Sequence, residues 1–309
     1  YVYLYVNGVL QEKIETAGGN IKNQNNNENI TDSVLSIKQL KEKLPNCKWV
    51  APVAVWFADS LNISNCSIEP RVEFKYDLEY PTIMTSPEDW CVAGITRERA
   101  KLISTDKNGG VRYGGTISDK SIVRYLAYLK SQGYKIMFYP MIFMDLENKP
   151  WRGYLTGQAE DVENFFIKEK GYNQFILHYA NLVKDCCDAF IIGSEFRDLT
   201  KIFIEKSDEN NAIHRNYPAI QCLKNLANQV RSVVGSNVKI GYASDWSEYH
   251  HTDGGWYNMD DLWSDNNIDF VGIDAYFPLT DKKETLITKE DIKEKVKSKK
   301  KGGKYAKTK

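Results

Sequence analysis

The strongest constraint on this chain is an alternation: apolar runs that stop at polar residues, separated by stretches whose apolar positions recur every three to four residues. The runs are WVAPVAVWF (49–57), YKIMFYPMIFMD (134–145), DAFIIGSEF (188–196), VKIGYASDW (238–246) and IDFVGIDAY (268–276). Such short runs, bounded by turn residues, read as strands; Ala189 to Ile192, apolar at four consecutive positions, reads as a strand buried on both faces. The intervening stretches read as helices. Val34, Leu35, Ile37, Leu40 and Leu44 share one helical face behind Thr31 or Asp32 as cap, and Pro45 with Asn46 stops it. Ser118 caps a second helix with an Ile122, Val123, Leu126 and Leu129 stripe, and Gly133 can take the left-handed position at its end. Helical sequence covers roughly 159–186 with a break near Gly171, and Pro218 opens a helix that closes at Gly235. Strand, helix, strand in repetition means a parallel sheet with helical crossovers, an α/β fold.

YVYLYVNGVL at 1–10 reads as one more strand, which brings the count to about six, near 1–6, 49–57, 134–145, 188–194, 238–245 and 268–275. No G-x-G-x-x-G or G-x-x-x-x-G-K-[ST] lies at a strand-to-helix turn, so a nucleotide-binding open sheet loses its usual sign. Counting units separates a (β/α) barrel from an open sheet only weakly, and a closed barrel needs two more units than the chain holds. Residues 58–116 form an irregular excursion with short strands and one helix near 96–104; connections of that length are usually functional.

Lys plus Arg equals Asp plus Glu at 41 each, so no global field favours nucleic acid. Six Cys without a C-x-x-C spacing and only four His point to neither a zinc site nor a dense disulfide framework. Cys47 and Cys66 lie in loop-like sequence and are read as either bridged or free. No run reaches the roughly 18 apolar residues of a membrane span, and no signal peptide is visible. The chain begins at Tyr1 rather than Met, which reads as a fragment or processed piece.

In a barrel, ligands and catalytic groups sit at the carboxyl ends of the strands. Those ends carry Trp56, Asp59, Tyr139, Asp145, Glu195, Arg197, Asp245, Trp246, Glu248, Asp274 and Tyr276. Carboxylates can protonate a leaving oxygen or attack a sugar carbon, and aromatic faces stack on sugar rings, so the inventory suits glycoside hydrolysis. Each residue alone has a plainer reading, a carboxylate capping a helix or pairing with Arg, a Trp filling the core. The signal is their accumulation at one end. Ser194 is not a hydrolase nucleophile: its surroundings are not G-x-S-x-G, and no His stands at a strand end to activate it.

The segments VAVWFADSL, VRYGGTISDKSIVRYLAYLKSQGYKIMFYPMIFMD, PWRGY, AFIIGSEFRDLT, KIGYASDWSEY and LWSDNNIDFVGIDAYFPLTD resemble the TIM-barrel-like domain of the large tail-hub protein of gene transfer agents, the phage-like particles of alphaproteobacteria. The resemblance covers roughly residues 29–281, leaving an N-terminal strand and polar loop (1–28) and a Lys-rich tail (282–309). That family is in turn similar to glycoside hydrolases of clan A, in which strand four carries the acid/base Glu and strand seven the nucleophile Glu. The resemblance makes IIGSE the strand-four motif and Glu195 the catalytic acid/base. IDFVGIDAY resembles strand six, which makes Asp274 and Tyr276 subsite residues beside the substrate-binding candidates Trp56, Asp145, Asp245 and Trp246. It implies no cofactor and no metal, a cell-envelope polysaccharide and other tail proteins as partners, and a cytoplasmic stage before assembly into a tail. The strand-seven motif, an apolar run followed by T-E-I-G, is absent after FPLTD, so the resemblance implies an α/β TIM-barrel-like domain truncated after about the sixth strand. A retaining glycosidase needs two carboxyl groups about 5 to 5.5 Å apart, so this chain is expected to be inactive; the competing expectation is a structural or carbohydrate-binding tail module.

Overall fold

The computed structural model describes residues 26–28, 30–75, 90–277 and 293. The chain divides into two units, Tyr1–Ile273 and Asp274–Lys309. The strand expected at 1–6 and the Lys-rich tail expected at 282–309 lie outside the described residues, except for Lys293.

Helix α1 (Asp32–Lys43) leads into the short β1 (Trp49–Val50) and then β2 (Val53–Ala58), with Pro52 between them. The long excursion follows. It holds β3 (Ile68–Glu69), β4 (Arg71–Val72), the hairpin of β5 (Cys91–Val92) and β6 (Ile95–Thr96), and β7 (Lys101–Leu102). The helix expected near 96–104 is not formed. Ala93 and Gly94 both have positive φ, 50° and 77°, and this two-residue turn suits a tight hairpin, so Ile95–Thr96 pair back on Cys91–Val92; Lys101–Leu102 then pair with Arg71–Val72.

Regular order resumes at α2 (Asp119–Ser131), capped by the Ser118 hydroxyl accepting from Ser121 N–H, and Gly133 after it has φ 86°. Strand β8 (Lys135–Met144) is followed by α3 (Val162–Ile167), α4 (Tyr172–Val183) with the break at Gly171, and β9 (Ala189–Ser194), buried throughout. An exposed hairpin, β10 (Ile204–Ser207) and β11 (Ile213–Asn216), precedes α5 (Pro218–Val234), which has Pro at its first position and Gly235 at its end with φ 75°. Strand β12 (Lys239–Asp245), the short α6 (Asp260–Trp263) and β13 (Phe270–Asp274) complete the described elements.

The main sheet runs β13-β12-β9-β8-β2-β3, with β1 also on β8. Strands β2, β8, β9 and β12 are parallel neighbours in chain order, and β3 joins β2 antiparallel. From β2 through β8, β9 and β12 to β13 each step along the sheet goes the same way, and the short antiparallel β3 lies at the opposite edge. An open doubly wound sheet needs a reversal, and its ligand site sits there; winding in one direction is the winding of a (β/α) barrel. Strand β8 alternates regularly between buried and half-buried residues. Its buried set, including Phe138 and Ile142, belongs to the core that also holds α2, α4 and α5 residues, to which α5 alone contributes Ile220, Leu223, Leu226, Ala227 and Val230. Each fully buried Ile, Leu, Val or Phe side chain among them contributes about 1.5 to 3 kcal/mol relative to exposure. All six cysteines are free, Cys47 and Cys66 included. Among the described residues no helix is long and apolar enough to cross a membrane.

Candidate active site

Glu195 follows directly on β9, and the backbone there is irregular for a reason. Ile191 pairs with Gly241 and Ser194 with Ala243, so three residues of β9 step against two of β12. One extra residue makes a bulge, which re-aims the side chains after it. The Ile192 carbonyl accepts from the Tyr172 hydroxyl at 3.1 Å. Gly193 lies against the Tyr242 ring, where an added Cβ would come within 2.9 Å. Glu195 itself has φ 53°, a left-handed conformation that such residues seldom adopt outside functional or tightly determined sites. Its N–H donates to Ala243 O at 2.9 Å, and the next N–H, of Phe196, donates to the Tyr242 hydroxyl at 2.9 Å.

The Glu195 carboxylate is only 7% exposed as a residue, yet it is not alone. Trp151 Nε1–H donates to Oε2 at 2.6 Å, and Arg152 Nη2 lies 2.8 Å from the same oxygen. Arg152 also grips the strand end, donating from Nε to Ser194 O at 3.0 Å and from Nη2 to Ser194 Oγ at 2.7 Å. Tyr139 of β8 completes the group through its hydroxyl, 2.6 Å from Ser194 Oγ. The Arg197 guanidinium stacks over Trp151 and Tyr154 at 4.9 and 5.3 Å, and pairs with Asp198 at 2.9 Å. Asp198 N–H donates to Gly153 O, which ties the turn after β9 to the turn after β8.

The other strand-end candidates divide. Asp145, at the end of β8, pairs with Arg71 and accepts from Ser104 N–H at 2.9 Å, so it fastens the long excursion to the sheet. Asp245 closes a local turn by accepting from Ser247 N–H at 2.9 Å. Trp246 is half-buried just beyond it. Trp56 is corrected: it is not a substrate platform. It is 2% exposed, its indole N–H donates to Tyr179 OH at 3.0 Å, and its ring packs on Phe175 at 5.3 Å, so it points to the α4 side of β2. Asp274 ends β13 and begins the second unit, where Tyr276 is 77% exposed and its N–H donates to Asp274 O. Trp151 and Arg152 were not singled out as site residues from the sequence. Their signal was the polar and aromatic PWRGY turn soon after the end of a strand. Among the described residues, no group of three or more His, Cys, Asp or Glu is placed to hold a metal ion.

A parallel sheet wound in one direction, with a buried Glu and aromatic side chains at the end of a central strand, defines a glycoside-hydrolase-like TIM-barrel domain. Two family models match the chain accordingly: the GTA TIM-barrel-like domain over residues 170–307, and Glycoside Hydrolase Family 113 over residues 82–218. No curated protein matches the sequence. Among solved structures, a GH113 beta-1,4-mannanase complex is 15% identical with a TM-score of 0.45, covering 87% of this chain and 63% of that one. The GH113 beta-mannanase AaManA from Alicyclobacillus acidocaldarius, in complex with ManMIm, is 14% identical with a TM-score of 0.44, covering 81% and 57%. Xylanase B from Clostridium stercorarium F9 is 16% identical with a TM-score of 0.26, covering 59% and 54%. The chain thus spans about three fifths of the length of the GH113 structures it matches.

Proposed function

We propose that this domain acts on, or holds, a cell-envelope polysaccharide as part of a phage-like tail of the gene transfer agent kind, with Glu195 as proton donor to a glycosidic oxygen. The observation that carries the reading is the placement of Glu195: a carboxyl group at the carboxyl end of a central parallel strand, held by an indole N–H and a guanidinium beside two further aromatic rings. General acid catalysis requires a positioned proton donor and contributes about 10²- to 10⁴-fold. Sugar rings present an apolar face to aromatic side chains, a role open to Tyr154, which is exposed next to Trp151.

Hydrolysis with retention also needs a second carboxyl group. Asp145 is bound to Arg71, Asp245 to Ser247, and Glu248 to Tyr242 and Thr200. These internal commitments favour the second reading, glycan binding without turnover. Reducing-sugar release from peptidoglycan, capsule and mannan, measured with wild type and Glu195→Gln, tests the first. A fall of about 10²-fold or more in the variant supports it; equal rates refute the acid role. Glycan retention on an affinity column without release of sugar, lost in Trp151→Ala, supports the second.

A further inference from the structure

Behind the strand end that presents Glu195 lies a carboxyl group the proposed chemistry does not use. Glu248 is 2% exposed, and both its oxygens are engaged. Oε1 accepts from Tyr242 OH at 2.8 Å and from Thr200 Oγ1 at 2.9 Å, while Oε2 accepts from Asp245 N–H at 3.0 Å. Tyr242 passes the contact forward, since its hydroxyl oxygen accepts the Phe196 N–H at 2.9 Å. Phe196 is the residue after Glu195, so the relay ends on the peptide that joins them. This peptide must hold Glu195 at φ 53°, a conformation that persists only where surrounding bonds over-determine it. The bonds on either side of Glu195 are its own N–H to Ala243 O and the Phe196 N–H to Tyr242. Both acceptors belong to β12, and Glu248 lies in the turn that follows it, its N–H donating to Asp245 O.

We propose that Glu248 and Tyr242 are positioning residues for Glu195, and that the charge on Glu248 sets how firmly the Glu195 turn is held. As regulation of catalysis this rests on Glu195 being the proton donor; as geometry it stands without that reading. An ionised Glu248 accepts the Tyr242 O–H, and hydrogen bonds in series polarise one another, so the phenol oxygen becomes the better acceptor for Phe196. A protonated Glu248 must place its own O–H. The Asp245 N–H is already a donor, so the proton turns toward the Tyr242 or Thr200 hydroxyl and displaces a bond that hydroxyl was donating. The titratable and charged groups that act on Glu248 are Tyr242 and Asp245 of β12, with Tyr172 of α4 beyond Tyr242. Burial raises the Glu248 carboxyl to about 7, with the Asp245 charge adding to the rise and the three hydrogen bonds opposing it. The two charge states therefore interchange near neutrality.

The reporter is the Trp151 indole N–H, which donates to Glu195. The full chain is labelled with ¹⁵N-Trp, and Trp151→Phe assigns the resonance. The Trp151 signal of the wild type is expected to titrate with a midpoint near 7, and the titration is expected to vanish in Glu248→Gln and in Tyr242→Phe. Thr200→Val, which removes one hydrogen bond to the carboxylate, is expected to move the midpoint upward. Should one variant fail to fold, the others and the wild-type curve decide. A wild-type Trp151 resonance that stays fixed across neutrality overturns the proposal. So does a titration that persists unchanged in any folded Glu248 or Tyr242 variant. None of these readouts requires hydrolysis, so a chain that cleaves no glycan still tests the relay.

Discussion

Replacing Glu248 by Gln separates the charge of this buried group from its shape, and linkage gives the size of the effect. The folded carboxyl titrates at about 7, against an ordinary 4.5, because burial disfavours the charged form more than the bonds from Tyr242, Asp245 N–H and Thr200 favour it. Between those two values the folded chain retains a proton that the unfolded chain has released. Stability then falls as pH rises, by about 1.36 kcal/mol per pH unit. Below about pH 4.5 Glu248 is neutral in both states and costs nothing; above about pH 7 it is charged in both, and the loss, roughly 3 kcal/mol, is complete. Gln has no proton to release, so the variant escapes this loss. In acid the variant is expected to match the wild type or fall below it, because one amide cannot accept from both Asp245 N–H and the two hydroxyls without turning them. Between about pH 4.5 and 8 the variant should gain roughly 3 kcal/mol on the wild type, which in urea moves the relative midpoints by on the order of 1 M. Urea denaturation across that range measures it. A stability difference that is constant with pH, or that moves in favour of the wild type as pH rises, refutes the reasoning, because it would mean Glu248 carries the same charge folded and unfolded.

Three further outcomes follow from contacts in the fold. Arg71→Met leaves Asp145, whose side chain is 0% exposed, without its cation, and should cost about 3 to 5 kcal/mol in urea denaturation; Asp145→Asn on that background should recover part of it. Trp56→Phe removes the N–H that donates to Tyr179 and should cost about 1 to 2 kcal/mol while leaving glycan retention unaltered; lost retention would return the ring to the site. Cys66 and Cys187, buried and both pushed up to about 12 chiefly by burial, should resist thiol reagents at mildly alkaline pH until the chain is unfolded; rapid labelling of either in the native protein, read by peptide mapping, contradicts their placement.

Much of this fold is local, and the local part was legible. Ser118, Gly133, Pro218 and Gly235 stand where capping chemistry requires them, and each acts through neighbours a few residues away. The single-direction winding was not legible, since it depends on which strands lie side by side, yet the strand ends could be read because a parallel sheet gathers them at one end. Trp56 shows the limit of that reading. Successive strand residues alternate faces, so knowing that a residue lies near a strand end does not tell whether it faces the ligand or the helices. The excursion was misread near 96–104 because Ala93 and Gly94 in left-handed conformations outweigh the helical spacing that follows them.

Glu195 was visible as a carboxylate at the end of an apolar run, but the groups that surround it were not. Trp151 reaches it from 44 residues away and Arg152 from the next position, across a contact between two strand-end turns. Gly193, within the bulge of β9, lies against the Tyr242 ring, and the Phe196 N–H donates to the hydroxyl of that same residue, 46 positions distant. Tyr242 therefore joins the backbone geometry of Glu195 to the buried Glu248, and removing its hydroxyl alone would leave the ring beside the bulge in place. Tyr242→Phe should then preserve the strand register while releasing the Phe196 N–H, so shape and relay can be separated at one atom.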